Sequence, residues 1–248
     1  MVTDIFADLE AEQDRLEAVL AGLDDAAWLA PSEAAGWQVV DVVLHLAQTE
    51  EAVRDSVTGG TVTGGSGKWD RSPGTLDEQV DRWVRAERAA PAVVFGRWRS
   101  ARRAALGALR QADRDRPLAW AEAPLRPATL ATTRLAEHWA HGLDITGPLG
   151  IPFPDTDRLR HVAWLAHRSL PYAFALAGGE PHEVFCELTA PDGATWRYGP
   201  PEADSTITGP AGAFCRVGAR RLDPEESGLV AAGPHGPAAL RVLRTYAA

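Results

Sequence analysis

The hydrophobic period of this chain changes once, and that change constrains the fold more than any single motif. As far as Leu176, apolar residues recur at helical spacing; after Gly178-Gly-Glu-Pro181 they fall in short extended runs. The 248 residues, 45% of them hydrophobic, are enough for a sizeable core. The expected architecture is a multidomain α and α+β chain. A helical bundle over residues 1–178 is followed by a small α+β domain over 179–248.

Within the first part, Phe6, Leu9, Leu16, Leu20 and Leu23 predict a helix from Asp4 to Leu23. Val39, Val42, Val43 and Leu46 form the stripe of a second helix from Val39 to Val57, with His45 beside it. Helical character returns from Leu76 to Ala112, with a bend expected at Pro91. A fourth helix runs from Thr129 to Ile145 and another from Asp157 to Leu176. The glycine-rich stretch from Thr58 to Gly74 exceeds an ordinary connection and reads as a functional or disordered loop. In the second part, Val184–Tyr198 predicts two strands around Pro191-Asp-Gly193. Ser205–Gly209 and Ala213–Gly218 are read as further extended segments, and Pro237–Tyr246 as a closing helix.

The chemistry-bearing stretch is Arg134-Leu-Ala-Glu-His-Trp-Ala-His-Gly-Leu-Asp-Ile145. Glu137 and His141 are four residues apart, so a helix stacks their side chains on one face. A carboxylate and an imidazole aimed at one point can hold a divalent metal, and His45 on the earlier helix supplies a third ligand. Such a three-ligand set leaves a position for water or substrate. Zinc is the first choice, with nickel, iron and manganese as alternatives. His138 points about 100° away from Glu137 and is expected in a supporting or surface role. Asp144 and Asp41 are placed to orient the rings of His141 and His45. His161 and His167 are read as surface or core-edge residues.

Charge and composition narrow the function. A net charge of −9 argues against a broad nucleic-acid surface. No run approaches the ~18 apolar residues of a membrane span, and the basic start of a secretory signal is missing, so a cytoplasmic location is expected. Lys68 is the only lysine among 25 basic residues, a bias that fits a GC-rich bacterial genome. Arg97, Arg99, Arg102 and Arg103 form a dense basic run, mostly solvated surface, from which one or two side chains could reach an anionic ligand. Cys186 and Cys215 lie in apolar, strand-like runs and are read as buried free thiols rather than a disulfide or a nucleophile.

Gly36-Trp37 through Asp41 and His45-Leu46 resemble the second-helix motif of the DinB-like metal-binding bundles. Arg134 through Glu137, with His141-Gly-Leu-Asp144, resembles the late-helix motif of their mycothiol-dependent maleylpyruvate isomerase branch. Asp204 through Arg221 is similar to the start of that branch's C-terminal, sterol-carrier-like domain. The resemblance implies a DinB-like four-helix bundle, a metal at His45, Glu137 and His141, and mycothiol as cosubstrate. It also implies an arginine contributed by the C-terminal domain. Arg220 is chosen over Arg216 and Arg221, with Arg102 as a possible helper in holding a substrate carboxylate.

The expected function is a metal-dependent, mycothiol-using isomerase or S-transferase acting on a small electrophile. Its partners are the substrate and a low-molecular-weight thiol, and the chain is a monomer or homodimer. Two alternatives remain open: a hydrolase or lyase using metal-activated water, and a non-catalytic binder of a small ligand.

Overall fold

The computed structural model describes residues 4–59, 75–120 and 123–246. The chain divides into two compact units between Phe153 and Pro154. Among the described residues, the first holds six helices: α1 (Ile5–Ala21), α2 (Asp25–Trp28), α3 (Val39–Thr58), α4 (Leu76–Ala86), α5 (Pro91–Gln111) and α6 (Pro127–Thr146). α3 packs chiefly on α5 and α1 chiefly on α6, so α1, α3, α5 and α6 form the four-helix bundle.

Local chemistry sets the helix starts. Asp4 accepts from the Phe6 amide at 3.0 Å to cap α1, and Asp24 accepts from the Ala27 amide at 2.8 Å to cap α2. Thr75 and Glu78 form a capping box at α4, and Gln38 and Asp41 form one at α3. Pro127 begins α6 and Pro91 begins α5. The bend expected at Pro91 is therefore a full break. Proline gives up no helical hydrogen bond at the first position, and Glu87–Ala90 separate two helices. Leu9, Leu16 and Leu20, with Val39, Val42, Val43, Leu46, Val94, Trp98, Leu135 and Trp139, fill the interior. Residues 60–74, most of the glycine-rich stretch, lie outside the described residues.

The second unit comprises α7 (Leu159–Arg168), α8 (Leu170–Leu176), β1 (Phe185–Thr189), β2 (Thr195–Tyr198), β3 (Thr206–Pro210), α9 (Ala211–Gly218), β4 (Val230–Ala232) and α10 (Gly236–Val242). Sheet order is β2-β1-β3-β4, with β1 parallel to β3 and the outer pairs antiparallel. The boundary thus lies earlier than 178. α7 packs on α9, and α8 on α10, so the helices before Gly178 belong with the sheet. The single helix expected there is split at Ser169, where Pro171 opens the short α8.

A second correction concerns Ala213–Gly218, which is helical in α9 rather than extended. Ala211, Phe214, Cys215 and Gly218 are buried at helical spacing. Cys215 accordingly sits on a helix and Cys186 on β1; both thiols are free and buried. No helix among the described residues is long and apolar enough to cross a membrane.

Candidate metal centre

His45 comes from the second turn of α3 and faces the α6 pair Glu137 and His141. The His45 Nε2 lies 3.6 Å from Glu137 Oε2, and the His141 Nε2 lies 3.5 Å from that same oxygen. The two imidazoles meet edge to face with centroids 5.0 Å apart. One ligand atom from each of the three residues falls within 4.8 Å of the others, the only such His/Cys/Asp/Glu group among the described residues. His45 is buried, whereas 29% of the Glu137 side chain is exposed, so the cluster is open on the Glu137 side.

Electrostatics leave the three side chains in different states. Burial holds His45 below its ordinary pKa despite the opposing pull of Glu137, which favours a neutral ring with a free lone pair. Burial would raise Glu137, but hydrogen bonds from His141 and His45 and the charges of His141 and Arg134 hold it well below the usual carboxylate range. His141 is also buried, yet Asp144 and Glu137 raise its pKa. The His141 Nδ1 lies 2.9 Å from Asp144 Oδ2, an arrangement that turns Nε2 toward Glu137.

Asp41 does not play the matching part for His45. Both its oxygens bind Arg88, at 2.8 and 2.7 Å, and Oδ2 also caps the Gln38 amide. The His45 Nδ1 is buried with no hydrogen-bond partner in the protein. Trp37 flanks that ring at 5.4 Å and donates its indole N–H to Asp81 at 2.9 Å. Two imidazoles and a carboxylate brought together in one small space fit a divalent ion of zinc's preferences.

His138 is neither a surface nor a supporting residue but part of the core. It is fully buried, and its Nδ1–H donates to the Arg134 carbonyl at 2.8 Å. The Trp98 indole donates to its Nε2 at 3.2 Å. Burial, helped by the Arg134 charge, pushes its pKa down to about 3. His138→Ala is expected to retain the metal while losing about 2–4 kcal/mol of stability, through a cavity and two orphaned polar groups. Metal analysis beside chemical denaturation checks it. Equal loss of metal would mean that His138, not His141, faces the ion.

The basic run is largely neutralised. Arg97 pairs with Glu51 and Glu87, Arg99 with Glu17, and Arg102 with Asp14 and Glu17. Arg102 is buried, with its guanidinium 5.3 Å from the Trp98 ring centroid, and is not among the three clustered residues. Arg220 belongs to the second unit, where it follows α9 and donates to the Arg241 carbonyl at 3.3 Å. Arg216 is bound by Asp155 at 2.8 Å through both nitrogens. Sequence reasoning missed Thr49 and Glu50, which bind Arg134 beneath the cluster. Adjacent glutamates in a polar helical run give no sign of which one is buried.

Comparison with known proteins adds lineage to this geometry. The uncharacterized protein Rv0036c of Mycobacterium tuberculosis strain H37Rv is 34% identical over 245 residues, covering 97% of this chain and 94% of the relative. An uncharacterized protein of strain CDC 1551 matches to the same extent. The crystal structure of the mycothiol-dependent maleylpyruvate isomerase shares the fold, with a TM-score of 0.59 at 16% identity over 92% of this chain and 91% of that one. A histidine-to-alanine mutant of that enzyme gives a TM-score of 0.61 at 14% identity over the same shares. Residues 9–146, more than half of the sequence, match the family described as Mycothiol maleylpyruvate isomerase N-terminal domain, and the chain belongs to that family.

Proposed function

We propose that the chain is a divalent-metal-dependent, mycothiol-using enzyme, an isomerase or S-transferase acting on a small electrophile that carries a carboxylate. The observation that carries this reading is the convergence of His45, Glu137 and His141 within 4.8 Å, with Glu137 partly open. Zinc held by these side chains would supply a positive charge that lowers the pKa of an entering thiol toward neutrality.

The chain's own residues prepare for that chemistry. Burial favours neutral His45, Asp144 fixes the His141 ring, and Glu137 stays anionic. Neither cysteine can act as the nucleophile, because Cys186 and Cys215 are buried and burial raises both thiols. An external thiol fills that need, and the family supplies mycothiol as the candidate. Arg220 is assigned to the substrate carboxylate, a task for which a guanidinium offers two parallel donors. Arg102 is the second candidate, but its guanidinium would have to leave Asp14 and Glu17.

Cobalt-substituted protein tests the thiol directly. Titration with mycothiol is expected to produce a strong thiolate-to-metal charge-transfer band, absent from the His141→Ala variant. No band at saturating mycothiol, with turnover of an electrophile unchanged in its absence, would favour the hydrolase or lyase that activates water.

A further inference from the structure

The two imidazoles of the cluster are held unequally. His141 has Asp144 at 2.9 Å, while the His45 Nδ1 has no protein partner and Asp41 is occupied by Arg88. Something else must set where His45 stands relative to α6. One turn further along α3, Thr49 donates its hydroxyl to the His45 carbonyl at 2.9 Å or to that of Leu46 at 3.1 Å. The same hydroxyl oxygen accepts from Arg134 Nη2 at 2.7 Å, and Arg134 Nε donates to Glu50 Oε1 at 2.9 Å. Arg134 lies one turn before His138 on α6, the helix that carries Glu137 and His141. Arg134 and Glu50 are each 2% exposed or less, so water does not loosen the link.

We propose that Arg134, Thr49 and Glu50 form a positioning staple between the two ligand-bearing helices. It sets the placement of His45 opposite Glu137 and His141. The inference rests on the metal-binding reading given above. Stability alone explains the staple poorly. A buried ion pair is often no better than apolar packing, and the Glu50 Oε2 is buried with no hydrogen-bond partner. What the pair provides is direction. Two guanidinium nitrogens engage adjacent α3 residues, and one of those residues is bonded to the backbone of the His45 turn. This takes the place of the orienting carboxylate that His141 has and His45 lacks.

The test compares wild type, the charge-free double variant Arg134→Leu/Glu50→Leu, and Thr49→Val. Zinc affinity is read by competition with a chromophoric chelator, cobalt geometry by visible absorption, and folding by far-UV dichroism and thermal melting. The double variant is expected to fold with wild-type helicity, because both charges leave together. Its zinc affinity is expected to fall about 10–100-fold and its cobalt spectrum to change. Thr49→Val should weaken zinc less, about threefold, in the same direction. A double variant with wild-type zinc affinity and an unchanged cobalt spectrum overturns the staple, even if its melting temperature falls. Should that variant fail to fold, Thr49→Val decides alone, and unchanged affinity there overturns the proposal. Wild-type protein that takes up no zinc would instead remove the metal-binding reading, and the staple with it.

Discussion

Alanine at His45, Glu137 or His141 is expected to leave a folded chain that no longer holds about one zinc per molecule. Thiol-dependent turnover should fall by more than about 1000-fold, roughly 4 kcal/mol of lost transition-state stabilisation. The three side chains contribute one ligand atom each, so losing any one leaves a two-ligand remnant. The helices themselves draw little from these side chains, because their core contacts run through Leu46, Leu135 and Trp139. Elemental analysis after zinc reconstitution gives the result directly. Full zinc occupancy in all three variants would end the metal assignment.

The metal-free chain carries a pH signature of the same cluster. The Glu137 carboxyl is held well below its ordinary value of 4.5 in the folded state, so its stabilising contribution is fully present above that pH. That contribution is lost as pH falls from 4.5 through the depressed value, when the folded chain must accept the proton. Glu137→Gln should flatten this part of the acid-unfolding curve of the metal-free protein. The same curve in both proteins would show that Glu137 is not ionically engaged.

Arg220→Gly is expected to uncouple activity from stability. Among the described residues, Arg220 is the only non-glycine with a positive φ, 59°. It occupies the left-handed position just past the C-cap of α9. The Arg220 amide donates to the Val217 carbonyl at 3.0 Å and the Arg221 amide to the Arg216 carbonyl at 2.8 Å. Glycine is the usual residue in that closure, and an L side chain there costs about 1–2 kcal/mol. An exposed arginine held where glycine is the usual residue is a backbone outlier that makes Arg220 worth testing for function. The glycine variant should therefore melt at the same temperature or higher and keep its zinc. Its kcat/KM with mycothiol and an unsaturated oxo-acid probe should fall about 100-fold or more, roughly 3 kcal/mol. Undiminished kcat/KM would exclude Arg220 from substrate binding and pass the assignment to Arg102, where Arg102→Lys becomes the deciding variant.

The parts of the site that follow from one helix were readable in the sequence. Spacing alone stacks Glu137 on His141 and brings Asp144 within a turn, and the structure keeps all three together. What crosses between helices was less legible. Asp41 has the right spacing to serve His45, but α4 is followed by Arg88, whose fork takes both its oxygens. Glu50 and Glu51 are indistinguishable in sequence; rotation about α3 sends one into the core against Arg134 and the other out to Arg97. His138 turns about 100° away from Glu137, which suggests a supporting or surface place, yet that direction leads into the interior, where a Trp98 indole and a backbone carbonyl satisfy both its ring nitrogens. The domain boundary failed for a related reason. α7 is amphipathic, and period alone does not say whether its apolar face will meet other helices or a sheet.

The burial of both cysteines has a consequence for how such a protein lives with oxidants. Thiol–disulfide exchange needs an accessible sulfur that ionises, and Cys186 lies buried on β1 with its thiol pushed up to about 12. Cys215 is enclosed in α9, where burial raises it as well. When the cellular thiol pool turns over to its disulfide form, this chain offers that disulfide no sulfur to cap. If the chain uses an external thiol as proposed, oxidant exposure should slow it by depriving it of reduced thiol while its own two cysteines stay unmodified, and adding back reduced thiol should restore the rate without any reductase acting on the protein.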